Sequence, residues 1–152
     1  MTGKDYRATP PSRGMELVRF ADLDLDAVTQ DTDPDAEWLA GFPFSPDRPG
    51  ETTAESADYT VVYNELAPGK RIGRHTDGVD ELLFVLAGTV EATVGDERAT
   101  ADAGTLAVVP AETPHSVRNV GDDPARLVGV FATAPVASTW DTEPAVVDAD
   151  EE

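Results

Sequence analysis

Cysteine is absent from the 152 residues, which removes disulfides, thiolate nucleophiles, iron–sulfur clusters and Cys-based zinc sites together. A metal in this chain has only nitrogen and oxygen to hold it. Lysine is confined to Lys4 and Lys70, and histidine to His75 and His115. Long apolar runs are also missing. The longest, residues 82–90, already contains Gly88 and Thr89 and falls far below the ~20 residues that span a bilayer. The opening MTGKDYRATPPSRG lacks the apolar segment of a secretory signal, so the expectation is a soluble, cytoplasmic protein. Nothing repeats along the chain, and its length suits one compact domain.

What the chain has in excess is acid: 30 Asp and Glu against 11 Lys and Arg, a formal net charge of −19. A surface of this sign repels phosphate, which argues against nucleic acid and anionic membranes as partners. Scarce lysine with abundant aspartate resembles proteins of halophiles that keep high salt in their cytoplasm, where self-repulsion is screened within a few Å. The charge is uneven. Residues 58–133 carry 12 acidic and 6 basic residues, whereas the flanks carry 18 and 5.

That uneven charge divides the chain into an N-terminal arm and covering segment (1–57), a central domain (58–133) and an acidic C-terminal tail (134–152). Residues 1–14 read as a loose arm, and 15–20 as a short strand. Residues 22–37, with acids at nearly every second position, read as a solvated connection with one helical turn before Trp38. The Pro-punctuated stretch 41–46 reads as a lid or edge that covers apolar surface with Trp38, Phe42 and Phe44. From residue 58 short apolar runs alternate with turn signals, as in an antiparallel all-β domain: 59–66, 81–86, 89–94, 97–101, 105–109, 115–120 and 125–133. Gly95-Asp96 between two such runs predicts a two-residue hairpin. The expected architecture is a sandwich or barrel of about eight strands or more.

Both histidines fall in this strand-rich half. The stretch GKRIGRHTDGVDELLFVLAG, residues 69–88, resembles the first cupin motif, G-x5-H-x-H-x3-E-x6-G, with Asp77 standing where a second histidine is expected. The stretch GTLAVVPAETPHSVRN, residues 104–119, resembles the second, G-x5-P-x-G-x2-H-x3-N, with Glu112 in place of a glycine. The resemblance covers residues 59–131 and implies an all-β, cupin-type jelly-roll barrel of the compact single-domain kind. It also implies one divalent ion held by His75, Glu81 and His115, with Asp77 as fourth ligand or as a base beside the ion.

Strand geometry is compatible with this, since residues two apart share a face and His75 and Asp77 can point inward together. Leu83 and Val85 would follow Glu81 into the interior, with Ala107 and Val109. Leu82, Phe84 and Leu86 would face outward, where an opposing sheet or the partner of a homodimer would cover them. Two imidazoles and two carboxylates suit iron, manganese, nickel, cobalt or zinc. Asn119 shares the parity of His115. Arg74 and Arg118 have the opposite parity and are expected in surface salt bridges. No serine sits in a G-x-S-x-G turn, which leaves no hydrolase triad.

Fold does not fix reaction. The leading expectation is a metal-dependent oxygenase, isomerase or lyase acting on a small organic molecule in the barrel, with Asp77 and Glu81 as catalytic candidates. The alternative is a non-catalytic sensor or binding module.

Overall fold

In a computed structural model, residues 15, 17–44, 58–133 and 135–147 are described. The expected arm at 1–14 lies outside them. The described residues are almost entirely β, with twelve strands among them: β1 Asp26–Gln30, β2 Asp33–Phe44, β3 Thr60–Leu66, β4 Arg71–Asp77, β5 Glu81–Ala87, β6 Thr89–Val94, β7 Glu97–Asp102, β8 Leu106–Val109, β9 His115–Asn119, β10 Ala125–Phe131, β11 Ser138–Trp140 and β12 Ala145–Val146. No helix among the described residues is long and apolar enough to cross a membrane.

The strands run in the order β7-β6-β9-β4-β2-β3-β10-β5-β8, with β1 and β12 attached beside β2 and β11 beside β4. Pairing is antiparallel except where β2 touches β4 at Ala36 and Arg71. The sheet therefore curls at β2 into two facing layers, a jelly-roll barrel. Alternation fills it: Leu83 and Val85 of β5 and Val117 of β9 are buried, while Leu82 and Leu86 remain exposed. Val109 is buried and Ala107 packs against the core, whereas Leu106 and Val108 face out. The Gly95-Asp96 hairpin joins β6 to β7 with Val94 opposite Glu97.

Four sequence readings are corrected. Residues 22–37 are no solvated connection, since they supply β1 and the start of β2. Their alternating acids are the outer face of a strand whose inner face is Ala36, Trp38 and Ala40, all buried. The described part of 15–20 forms no strand. The chain makes a single 3-10 turn at Phe20–Asp22, anchored by Phe20 stacking on Tyr63 at 4.6 Å. The segment read as an acidic tail contributes β11 and β12 to the sheet, pairing with β4 and β1. Trp38 and Phe42, expected in a covering lid, belong to β2 itself.

Candidate metal centre

Strands β4, β9, β11 and β5 build the site. On one side of β4, His75 lies directly opposite His115 of β9, after a shift of register between Ile72 and His75. Such a bulge turns a strand about its axis, and here Ile72, His75 and Asp77 all reach one cavity. On the other side of β4, β11 places Trp140 opposite His75 and Ser138 opposite Asp77. Glu81 opens β5 and pairs with Phe131 of β10.

Each imidazole is fixed by the same device. His75 Nδ1 is 2.8 Å from the Gly73 carbonyl and His115 Nδ1 is 2.9 Å from the Thr113 carbonyl. A carbonyl only accepts, so Nδ1–H donates and both Nε2 atoms are turned toward the cavity as potential ligands. The Asp77 carboxylate is held at one oxygen, where Ser138 Oγ donates to Oδ1 at 2.6 Å. Its other oxygen, Oδ2, stands 3.3 Å from His115 Nε2 and 3.6 Å from His75 Nε2.

His75, Asp77 and His115 thus offer three ligand atoms within 4.8 Å of one another. Among the described residues, the buried side-chain polar atoms without a hydrogen-bond partner are Asp77 Oδ2 and His115 Nε2. Buried polar atoms left unpaired are costly, and two lone pairs aimed at one point fit a cation between them. The two-nitrogen, carboxylate-rich donor set suits a borderline or hard divalent ion.

Glu81 stands slightly apart from this trio. Its Oε1 is 3.6 Å from His115 Nε2, and its Oε2 occupies the space that a Cβ at residue 129 would need. Gly129 is therefore part of the site, because any side chain there would evict the carboxylate.

The electrostatics are strongly coupled. Burial pushes the Glu81 carboxyl above its ordinary range, partly offset by His115. Asp77 goes the other way: burial opposes ionisation, but His115, Ser138 and His75 outweigh it and hold the carboxyl low. Burial pulls His75 down, helped by the charge on His115. For His115 burial also opposes charge, yet the facing carboxylates of Asp77 and Glu81 prevail and push it up to about 10.

A cavity of about 360 Å³ opens from these groups. Its walls include Trp38, Phe42, Leu83, Phe131 and Trp140. Trp140 stacks on His75 at 4.2 Å and on Trp38 at 5.5 Å. Ser138 and Trp140 were missed by sequence reasoning, lying far along the chain from both motifs. Of the expected lumen residues Leu83 lines the cavity, whereas Val85, Ala107 and Val109 pack elsewhere in the core. Asn119 shares the inward parity of His115 but is a structural tie: its Nδ2 donates to the Leu66 and Asp123 carbonyls and its Oδ1 accepts from Gly121 N. Arg74 and Arg118 form the expected surface pairs, with Asp141 and Asp35.

Residues 62–131 match the cupin domain family Cupin_2. No curated protein matches the sequence. Among solved structures, the chain is similar to an oxalate decarboxylase from Bacillus subtilis (TM-score 0.58, 17% identity, 74% of this chain and 29% of that one). It is also similar to an oxalate decarboxylase of Lactobacillus farciminis in a formate complex (TM-score 0.63, 16% identity, 81% and 35%). A third is a conserved protein of unknown function from Streptococcus pyogenes (TM-score 0.51, 23% identity, 66% and 77%). The chain spans about a third of the length of the two decarboxylases. Domain match and architecture agree in supporting the cupin superfamily, and the chain carries the cupin jelly-roll fold.

Proposed function

We propose that this is a metal-dependent cupin enzyme that binds one divalent ion through His75, Asp77 and His115, with Glu81 as fourth ligand or as a base beside it, and acts on a small organic molecule in the barrel. The observation that carries the reading is the pair of unpartnered buried atoms, Asp77 Oδ2 and His115 Nε2, 3.3 Å apart at the cavity. A bound ion would supply Lewis-acid or redox chemistry there. The chain's own residues do the rest. Apolar walls exclude water from the reacting groups, and Asp77 and Glu81 are the acidic side chains lining the cavity, hence the candidates for moving a proton.

Manganese heads the ions to test, because the Bacillus subtilis decarboxylase has Mn(II) centres; iron, nickel, cobalt and zinc follow. Metal analysis of protein purified in high salt, then reconstituted with each ion, decides the matter. Stoichiometric metal in the wild type and its loss in His115→Ala are expected. Wild-type protein that retains no transition metal after reconstitution overturns the proposal and leaves the non-catalytic binding module. Oxygen uptake against phenols and diketones then separates an oxygenase from an isomerase or lyase.

We further propose a cytoplasmic homodimer from a high-salt organism. The outward Leu82, Leu86, Leu106 and Val108, each at least 40% exposed, form an apolar face suited to a second copy. A monomer on gel filtration in molar salt would remove the dimer.

A further inference from the structure

We infer that the cavity selects a neutral, flat, unsaturated molecule of one substituted ring and rejects small dianions such as oxalate. This rests on the proposed reading only in taking the cavity as the functional site. Charge supports it first. The lining holds two carboxylates, Asp77 and Glu81, and neither lysine nor arginine. The arginines of β4 are taken elsewhere, Arg71 by Asp33 and Arg74 by Asp141.

Two carboxylates and two imidazoles carry no net positive charge, and a divalent ion brings two carboxylates and two neutral imidazoles only to zero. A dianion would thus bring two charges into apolar surroundings with no guanidinium or ammonium to offset them, a situation that buried charge does not tolerate. A neutral ligand meets no such penalty.

Shape and surface agree with charge. Both tryptophans of the chain, Trp38 and Trp140, line the cavity and form with His75 a run of near-parallel rings, inclined by 13° and 19°. Phe42 and Phe131 add further aromatic wall. Such surfaces favour π-systems that stack or meet edge to face. A cavity of roughly 150 Å³ takes a benzene ring, so one of about 360 Å³ accommodates a ring with substituents. Asn64 offers an uncharged amide at the wall, suited to orienting a neutral polar group.

The test is calorimetric titration of benzamide, benzoate and oxalate into the whole protein in molar KCl, which screens the surface charge so that the cavity alone discriminates. Metal content is measured on the same sample. Benzamide should bind at least tenfold more tightly than oxalate, with benzoate between them, and should change the fluorescence of the two cavity tryptophans. Phe42→Arg, at a half-buried wall position, should narrow or reverse the preference. Oxalate binding as tight as benzamide, or no benzamide binding up to its solubility limit, overturns the inference. Preference for benzamide in protein that takes up no metal leaves it standing while sinking the proposed function, so the two failures are told apart.

Discussion

Glu112 occupies the position at which the second cupin motif carries glycine, and its backbone shows why glycine belongs there. Its φ is +61°, the only positive value among described residues other than glycine, a conformation costing an L-residue roughly 1–2 kcal/mol. The turn is retained because Glu112 N donates to the Asp77 carbonyl at 2.8 Å, while Ala111 N donates to Asp80 Oδ1 at 2.7 Å. Strain is thus held one hydrogen bond from a candidate ligand, as is common at functional sites. Glu112→Gly should raise stability by about 1 kcal/mol, or a few degrees in Tm; thermal unfolding that shows no gain would mean that the Glu112 side chain offsets its own strain. Asn119→Ala should do the opposite. It removes one buried bond, to the Leu66 carbonyl, and two half-buried ones, to the Asp123 carbonyl and from Gly121 N, and should cost about 1–2 kcal/mol, readable by denaturant titration, with metal content of the folded fraction unchanged. The fixed letters of the two motifs were legible because each is a local backbone or side-chain requirement. Gly129 was not legible, since its need for a missing side chain arises only when β5 and β10 pair.

Strands β1, β2 and β11 show what sequence pattern conveys and where it fails. The runs from residue 58 onward are short and apolar between turn signals, some of them alternating with polar residues, and all seven became strands with ends shifted by at most two residues. Residues 33–40 alternate too, but as Asp33, Asp35 and Glu37 against Ala36, Trp38 and Ala40, so that acid frequency hid the apolar face. Strand β4 was recognised only through its histidine, because Arg71, Gly73 and Arg74 interrupt the apolar pattern and a bulge breaks its parity. Three-residue β11 has no periodicity to detect; it is a strand because β4 offers it an edge. Its contribution to the site is nevertheless specific, with Ser138 on Asp77 and Trp140 on His75. Groups that orient metal ligands typically contribute 10–100-fold to affinity. Ser138→Ala should therefore weaken metal binding about tenfold or more without unfolding the barrel, as judged by competition with a chromophoric chelator and by far-UV circular dichroism. Ser138→Thr, keeping the hydroxyl, should restore most of it. Equal affinity in Ser138→Ala would show that Asp77 needs no such anchor.

Across the whole molecule the dominant quantity is charge. The barrel segment 58–133 has a formal net charge of −6 and the flanks −13, yet parts of those flanks, β1, β2, β11 and β12, are built into the same sheet. Folding therefore concentrates acids that the unfolded chain keeps apart. The described surface pairs relieve only part of this: Arg71 with Asp33, Arg74 with Asp141, Arg118 with Asp35 and Lys70 with Glu37. Exposed pairs of this kind contribute little individually. Screening is the remaining remedy. The Debye length falls from about 30 Å at 0.01 M to about 3 Å at 1 M salt, so repulsion between strand-borne acids several residues apart is nearly abolished over that range. Thermal stability should rise steeply with KCl at low ionic strength, where screening dominates, then more gently as salt strengthens apolar burial. The two regimes have different signatures, because the first depends on ionic strength alone whereas the second follows the anion, with sulfate exceeding chloride. A Tm independent of KCl between 0.01 and 1 M would mean that the acids lie too far apart in the folded chain to repel, and would remove the high-salt adaptation read from the composition.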